Sequence, residues 1–242
     1  ATVLGYVRGT PPLERRLEDV VMPGTNGVMC VEAGGPEPGI GCAGRGIITT
    51  FETLWSLGID DLDADVTVFD VLGDVVCGGF AVPLRRENAD AVFIVTSGEF
   101  MSVYAANNIM RGIVNFGTDR GRVAGIILNR RGVEGEDRIV RTLSECTGIP
   151  IVADVPRSEL FRRAESGAMT VSEMFPDSLE ASIYSKMADM ILGIADGTTR
   201  LYVPHPLDDA QLEALASGRA DMGPGRFASR RPCSERGYVG IG

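Results

Sequence analysis

Lysine and histidine are almost absent from this chain, which has one of each, Lys186 and His205, among 242 residues. The position of the single lysine excludes a complete phosphate-binding loop of the G-x-x-x-x-G-K-S/T type within these residues. The histidine is flanked by Pro204 and Pro206, so it is a poor candidate for a general base or a metal ligand. No window approaches 18 uninterrupted apolar residues, which excludes a membrane-spanning segment.

Basic residues are also scarce: 23 stand against 33 acidic ones, and the net charge is −10. This balance excludes a broad basic face, so we expect neither a nucleic-acid partner nor an anionic membrane partner. No charged segment followed by an apolar one opens the chain, so secretion is not signalled. The cysteines are five, an odd number, at Cys30, Cys42, Cys77, Cys146 and Cys233. Such a count favours free thiols or metal ligands in a reducing cytoplasm over a disulfide scaffold.

Short apolar runs alternate with helical patterns, which predicts an α/β fold with a mostly parallel sheet. The runs are nearly continuous, as in strands covered on both faces. The predicted strands are 66–72, 91–96, 123–128 and 149–153. Helices are predicted at 99–115, 178–195, 47–57 and 137–146, and from near Leu207, where Asp208 and Gln211 could form a capping box.

The α/β pattern extends over residues 1–217 and predicts one domain there. Residues 218–242 are rich in Gly, Arg and Pro. This composition is typical of a tail or linker rather than of a core element.

Two glycine-rich segments each contain one cysteine. Residues 34–46 read GGPEPGIGCAGRG around Cys42, and residues 70–80 read DVLGDVVCGGF around Cys77. Small residues leave many backbone N–H groups accessible, and these groups stabilise thiolates and inorganic sulfides. Alternatively, both segments are ordinary turns whose cysteines are buried and unreactive.

Two carboxylates precede Cys77 on the second segment. Asp70 ends an apolar run, and parallel-sheet enzymes bind ligands at the carboxyl ends of strands, where an aspartate commonly supports the magnesium of a nucleotide. Asp74 lies three residues before Cys77, so about 10 Å at most separates a phosphate-sensing carboxylate from a thiol. Alternatively, the two aspartates cap turns.

The number of thiols bears on the metal. A 4Fe–4S cluster takes about four thiolates, whereas this chain has two in suitable segments. A symmetric dimer would supply four, Cys42 and Cys77 from each protomer. A zinc site with four cysteines satisfies the same count, so ligand number does not choose between the two.

Together with Ser97-Gly98-Glu99 and the YAANNI motif at 104–109, the two segments resemble the nitrogenase iron protein family. These are ATP-dependent iron–sulfur reductases that supply electrons to nitrogenase and its relatives. The resemblance implies a P-loop-type three-layer α/β fold, a homodimer, and one 4Fe–4S cluster that bridges the protomers through Cys42 and Cys77. It also implies ATP with magnesium, a ferredoxin or flavodoxin donor, and a larger nitrogenase-type metalloprotein as acceptor.

The same resemblance suggests roles near the cluster. Asp70 would support magnesium, and Asp74 would position or deprotonate the attacking water and transmit the phosphate state to Cys77. Arg45 would face the docking partner, and in some members of the family it is the target of ADP-ribosylation.

The residues that match the family's adenosine pocket are Asn129, Pro156, Arg157 and Glu165. This chain departs from the family pattern nearby, because Ser158 stands where an acidic residue is usual and Arg162 where glutamine is usual. We therefore keep a second possibility, a nitrogenase-like reductase that serves a tetrapyrrole or organosulfur acceptor. A third is an ATP-incompetent carrier of a cluster.

The family's phosphate loop would precede Ala1, so the N-terminal part of the fold is expected to be missing from this chain. We expect the chain alone to be inactive, either because it is cropped or because it is a degenerate relative. Of the other thiols, Cys30 is expected to be buried, Cys146 to lie in the core, and Cys233 to lie in the tail without a metal-site partner.

Overall fold

The computed structural model describes residues 1–35, 43–73, 82–84, 88–115 and 121–216. The chain divides into two compact units, Ala1–Asp90 and Ala91–Gly242. In the described residues, none of the helices combines the length and apolar character needed to cross a membrane.

The first unit combines helices with a small antiparallel hairpin. Its main elements are α1 (Val3–Gly9), β1 (Val21–Pro23), β2 (Met29–Val31) and α2 (Ala43–Ser56), with short 3-10 helices at Pro12–Glu14, Leu17–Asp19, Thr25–Gly27 and Ile59–Asp61. Thr2 caps α1 by accepting a hydrogen bond from the N–H of Gly5 at 3.1 Å. Helix α1 packs against α2. The helix predicted at 47–57 is confirmed as α2, which begins four residues earlier, at Ala43.

Residues 66–72 do not form a strand, so the prediction from their apolar run is wrong. The segment is irregular, and Val68 is 73% exposed. A strand needs a neighbour for its backbone N–H and C=O groups, and among the described residues of this unit the only sheet pairs β1 with β2. The segment contacts α2 instead, through Phe69, whose ring centroid lies 5.3 Å from that of Phe51.

The second unit is built on three parallel strands, β3 (Val92–Thr96), β4 (Val123–Asn129) and β5 (Ile151–Val155), in that spatial order. Helix α3 (Phe100–Asn115) follows β3, and α4 (Glu136–Thr147) follows β4. Parallel neighbours need such crossover connections. The α/β class, the parallel sheet and the helices expected at 99–115 and 137–146 are confirmed.

The core of this unit joins the sheet to its helices. Apolar side chains recur along α3 at helical spacing, and they pack with residues of β3, β4 and α4 into one cluster that includes Ile94, Val103, Met110, Ile126, Leu128, Val140 and Leu143. Asn107 of α3 is fully buried. Its Nδ2 donates to the carbonyl of Leu207 at 3.0 Å, and its Oδ1 accepts from the N–H of Leu207 at 2.7 Å. This pair ties the distant C-terminal segment to α3.

Strand β5 begins at Ile151 and ends at Val155, later at both ends than expected. Pro150 has no N–H to donate to a ladder, although its carbonyl accepts from Ile126 at 2.8 Å. At the other end, Asp154 interrupts the apolar pattern and still pairs with Leu128 in the ladder.

The helices that follow the sheet within residues 121–216 are α5 (Glu159–Ser166), α6 (Val171–Met174), α7 (Leu179–Ala195) and α8 (Asp209–Ala216). Helix α7 confirms the prediction at 178–195. The capping box before α8 is confirmed as well, because Asp208 and Gln211 each accept the other's backbone N–H at 2.8 Å. Helices α5 and α6 were not predicted.

Two cysteines lie in the described residues. Cys30 is exposed in β2, so its expected burial is wrong: every residue of this short strand is exposed. Cys146 is half-buried and packs against the core cluster, as expected. Burial and the nearby Glu145 raise the pKa of the Cys146 thiol.

Candidate functional site

The segments after β3, β4 and β5 leave the same edge of the sheet, because the three strands are parallel. Ligands of open α/β sheets bind outside this carboxyl edge. The predicted adenosine-pocket residues fall on two of these segments.

Asn129, Pro156 and Arg157 lie close together at this edge. Asn129 is the last residue of β4 and pairs with Val155, the last residue of β5. Pro156, the next residue after Val155, therefore lies close to Asn129. The side chains of Asn129 and Arg157 are exposed. The Arg157 guanidinium donates through Nη1 to the carbonyl of Arg131 at 3.1 Å. The structure therefore brings three of the four predicted residues together.

Glu165 is the fourth, and it lies in the second half of α5 with an exposed side chain. No hydrogen bond or ion pair in the described part of the chain joins it to the other three. Glu165 is linked to Pro156 and Arg157 through the chain, because Ser158, the N-cap of α5, directly follows Arg157.

Arg130 organises the charges beside Asn129. Its Nε and Nη2 donate to the two carboxylate oxygens of Asp154 at 2.5 and 2.6 Å, and its Nη2 also donates to Asp137 at 2.6 Å. These hydrogen bonds raise the pKa of the Arg130 guanidinium. The hydrogen bond from Arg130 lowers the pKa of Asp137, with a further contribution from Arg141. The network joins the end of β4 to β5 and α4.

Glu136, the first residue of α4, is a carboxylate that the sequence did not single out. It is 3% exposed. Its Oε1 accepts the N–H of Arg131 at 2.9 Å and that of Gly98 at 3.4 Å, and its Oε2 accepts the N–H of Gly132 at 3.2 Å. One side chain thus fastens the segment after β3 to the segment after β4.

Glu180 of α7 is a second buried carboxylate that the sequence did not indicate. A hydrogen bond from the Ser158 hydroxyl lowers its pKa. The same serine accepts the N–H of Leu160 at 3.2 Å as it caps α5. A carboxylate therefore stands beside position 158 although residue 158 itself is not acidic. The sequence alone could not reveal this contact, because Ser158 caps α5 whereas Glu180 belongs to α7, two helices later.

Two further predicted residues belong to the first unit. Arg45 lies in the first turn of α2 with its side chain exposed. Asp70 is exposed in the irregular segment next to Phe69, and not at the end of a strand as expected.

Cys42, Asp74 and Cys77 lie outside the described residues, as does Cys233. Among the residues that are described, no group of three or more His, Cys, Asp or Glu side chains could hold a metal ion.

A cavity of about 250 Å³ lies along β5. Apolar residues of β4 and β5 line it together with Asp137, Arg141 and Asp154. Its lining contains none of the predicted adenosine-pocket residues, so it adjoins the Arg130 network rather than that pocket.

Comparison with known proteins adds to this geometry. The sequence signature of the 4Fe-4S iron sulfur cluster binding proteins of the NifH/frxC family matches residues 1–221. "Nitrogenase iron protein 2" of Methanothermobacter thermautotrophicus is 49% identical over 200 residues, which is 83% of this chain and 73% of that protein. The nitrogenase iron protein of Methanospirillum hungatei is 45% identical over 218 residues, 89% of this chain and 76% of that protein. The nitrogenase iron protein of Methanococcus voltae is 44% identical over 224 residues, 91% of this chain and 79% of that protein.

Proposed function

Because the chain belongs to the NifH/frxC family of 4Fe-4S iron sulfur cluster binding proteins, we propose that it is an ATP-dependent one-electron reductase for a nitrogenase-type catalytic metalloprotein. The active form is a dimer with one cluster between its two copies. The observation that carries the proposal is the family match over residues 1–221, which includes both cysteine-bearing segments. Relatives named nitrogenase iron protein, 44% to 49% identical, support nitrogen fixation as the process.

Cys42 and Cys77 hold the cluster, two thiolates from each chain. The described residues fit a negatively charged group at the first of them, because Cys42 directly precedes α2, a helix of 14 residues with no acidic side chain in its first turn. The unpaired N–H groups and the positive dipole end at a helix start stabilise a thiolate. When bound, the cluster supplies storage and release of one electron.

Asn129, Pro156 and Arg157 bind the adenosine of ATP, and Glu165 contributes from α5. The support for the first three residues is their position at adjacent strand ends on the carboxyl edge of a parallel sheet, where nucleotides commonly bind. The Arg157 guanidinium is already oriented by the Arg131 carbonyl, so less side-chain entropy is lost when a ligand binds.

Asp70 supports the magnesium ion, and Asp74 orients or deprotonates the water that attacks the terminal phosphate. Because Asp74 lies three residues before Cys77, a shift of this carboxylate is transmitted along this short stretch of chain to the thiolate. The exposed side chain of Asp70 is available for a solvated cation.

Arg45 docks the acceptor. It is three residues from Cys42 in the sequence and exposed on the first turn of α2. An exposed cation at this position would contact the acceptor as the acceptor approaches the cluster. Such a charge contributes mainly to the rate and specificity of association with a partner of opposite charge.

Electron delivery tests this proposal. The protein, expressed from its complete gene and purified without oxygen, is mixed with a nitrogenase catalytic metalloprotein and a reductant, and acetylene reduction is measured. We expect activity only with MgATP, and a loss of about tenfold or more in Arg45→Gln while iron content stays unchanged. Arg16→Gln is the control, since that side chain is also exposed in the first unit, at 73%. Activity without ATP, or equal rates for both variants, would contradict the proposal.

A second candidate is a nitrogenase-like reductase of the same family that serves a tetrapyrrole or organosulfur acceptor. The observation that favours it is the exchange near the adenosine pocket, where residue 158 is a serine and the carboxylate is on Glu180. MgATP-dependent oxidation of the cluster by such an acceptor, with no transfer to the nitrogenase metalloprotein, would select this candidate. A cluster carrier without ATP turnover would show neither transfer.

A further inference from the structure

The carboxylate of Glu136 is buried where the segments after β3 and β4 meet. Both of its oxygens accept backbone N–H groups, from Gly98 and Arg131 at Oε1 and from Gly132 at Oε2, at 2.9 to 3.4 Å. A buried carboxylate needs such donors to replace its lost hydration. The Arg131 guanidinium contacts a different carboxylate, since its Nε lies 3.6 Å from Oε2 of Glu99.

The segment that Glu136 holds carries the adenosine-pocket residues. Asn129 begins this segment at the end of β4. Two residues later, the N–H of Arg131 donates to Glu136 while its carbonyl accepts the guanidinium of Arg157. The Arg157 guanidinium is therefore held by the Arg131 backbone that Glu136 fixes, and Asn129 lies two residues earlier on the same backbone segment.

The contact leaves no room for adjustment on the β3 side. A Cβ added to Gly98 would lie 2.6 Å from the Cα and 2.9 Å from the Cβ of Glu136. Real Cβ atoms do not approach a backbone atom so closely, so any larger residue at 98 would displace the start of α4 or the segment itself.

We propose that Glu136 is a positioning residue for nucleotide binding: without touching the ligand, it holds the 129–132 backbone so that Asn129 and Arg157 face the adenosine together. This inference rests on the proposed function, since it assumes that the sheet edge binds a nucleotide. A glutamate that served only to stabilise α4 would not affect the affinity of the folded protein for a nucleotide.

Glu136→Gln separates these roles. Glutamine has the same shape but only one accepting oxygen, so the N–H groups of Gly98, Arg131 and Gly132 cannot all keep an acceptor, and its amide NH2 would face a backbone N–H. For the protein expressed from its complete gene, we expect the dissociation constant for MgADP to rise about tenfold or more. Amide hydrogen exchange should accelerate at Arg131 and Gly132 while the middle of α4 stays protected. Gly98→Ala should produce both effects with the carboxylate intact.

Asn107→Ser and Gly112→Ala are the matched controls. The first removes a buried hydrogen-bonding side chain of the same unit away from this edge. The second adds a Cβ that, among the described residues outside the surrounding helix backbone, has no atom within 4 Å. Asn107→Ser should lower the melting temperature, and neither control should change MgADP affinity or exchange at 131 and 132.

Unchanged MgADP affinity in folded Glu136→Gln, or affinity that falls only as much as in Asn107→Ser at equal stability, would overturn the positioning role. If the wild-type protein itself bound no MgADP, ATP dependence in the proposed function would be wrong, and the role of Glu136 with it. The wild-type titration thus distinguishes the two failures.

Discussion

Carboxylates near the sheet edge differ in what compensates their charge. Glu136 uses backbone N–H groups of two segments, whereas Asp137 and Asp154 share the guanidinium of Arg130. Glu180 uses the hydroxyl of Ser158. The contacts of Glu136 with Gly98 and of Glu180 with Ser158 join residues that only the fold brings together, which is why composition and spacing did not identify either glutamate.

The Arg130 network predicts a specific acid dependence of stability. The pKa of Asp137 is lowered in the folded protein, chiefly by its hydrogen bond from Arg130. A lowered folded-state pKa stabilises the protein above the unfolded value of about 3.9, and this contribution is lost as the pH falls through the folded value. The difference in unfolding free energy between wild type and Asp137→Asn should therefore be constant from about pH 7 to pH 5 and shrink below about pH 4.

Urea unfolding at a series of pH values measures this difference. The same substitution in an Arg130→Gln background is the control, and it should have a smaller effect because the charged partner is gone. A difference that persists unchanged to pH 3, or that is equal in both backgrounds, would show that Asp137 does not depend on Arg130.

At the level of elements, the sequence was most informative where a pattern is satisfied locally. The apolar faces of α3 and α7 and the apolar runs of β3 and β4 were predicted with ends within two residues. The run at 66–72 has similar composition but lacks a strand partner in the described residues, and propensity alone does not make a sheet. Helix α5 was missed because its apolar positions are few: only Ala164 is buried.

The candidate site divides in the same way. Asn129 and Pro156 were identified from motifs, and their proximity follows from β4 and β5 being parallel neighbours. Glu165 matches the same pocket in sequence, yet it lies in α5, and in the described residues no hydrogen bond or ion pair joins it to Asn129, Pro156 or Arg157. Which residues lie close together at a sheet edge follows from the order of the strands. The direction of an exposed side chain on a helix can be known only once the orientation of the helix axis is known.

Packing between β4 and β5 gives a second prediction. A Cβ on Gly125 would lie 2.6 Å from Cγ2 of Val152 on the neighbouring strand. Gly125→Ala should therefore reduce the free energy of unfolding by about 1–3 kcal/mol. Adding Val152→Ala should restore part of the loss, because the obstructing methyl groups are then absent.

Gly112→Ala in α3 provides the control for this substitution as well. Because the described residues place no atom beyond the helix backbone within 4 Å of the new Cβ, the substitution should be neutral or stabilise by up to about 1 kcal/mol through helix propensity. Denaturant midpoints of the three variants test the difference. Equal midpoints for Gly125→Ala and Gly112→Ala would show that Val152 does not limit the space at position 125.

For the whole molecule, the family assignment supports the cluster, whereas the described structure supports the nucleotide-binding edge of the sheet and the helix after Cys42. The family match covers both cysteine-bearing segments, and the described residues supply the helix that begins after Cys42 and the sheet edge with Asn129 and Arg157. A ligand count of two cysteines per chain is meaningful only for an assembly of two chains. The proposed reductase is therefore a property of the dimer rather than of one copy.

Native mass spectrometry with iron analysis, on protein expressed from its complete gene and purified without oxygen, tests the shared cluster most directly. We predict a species of two chains with about four iron atoms in one cluster, and loss of this iron in Cys42→Ser and in Cys77→Ser. Cys146→Ser should retain it, because Cys146 packs against the core of α4 and the sheet. A complete cluster on a single chain, four irons retained after removal of either thiol, or zinc in place of iron would contradict the shared cluster.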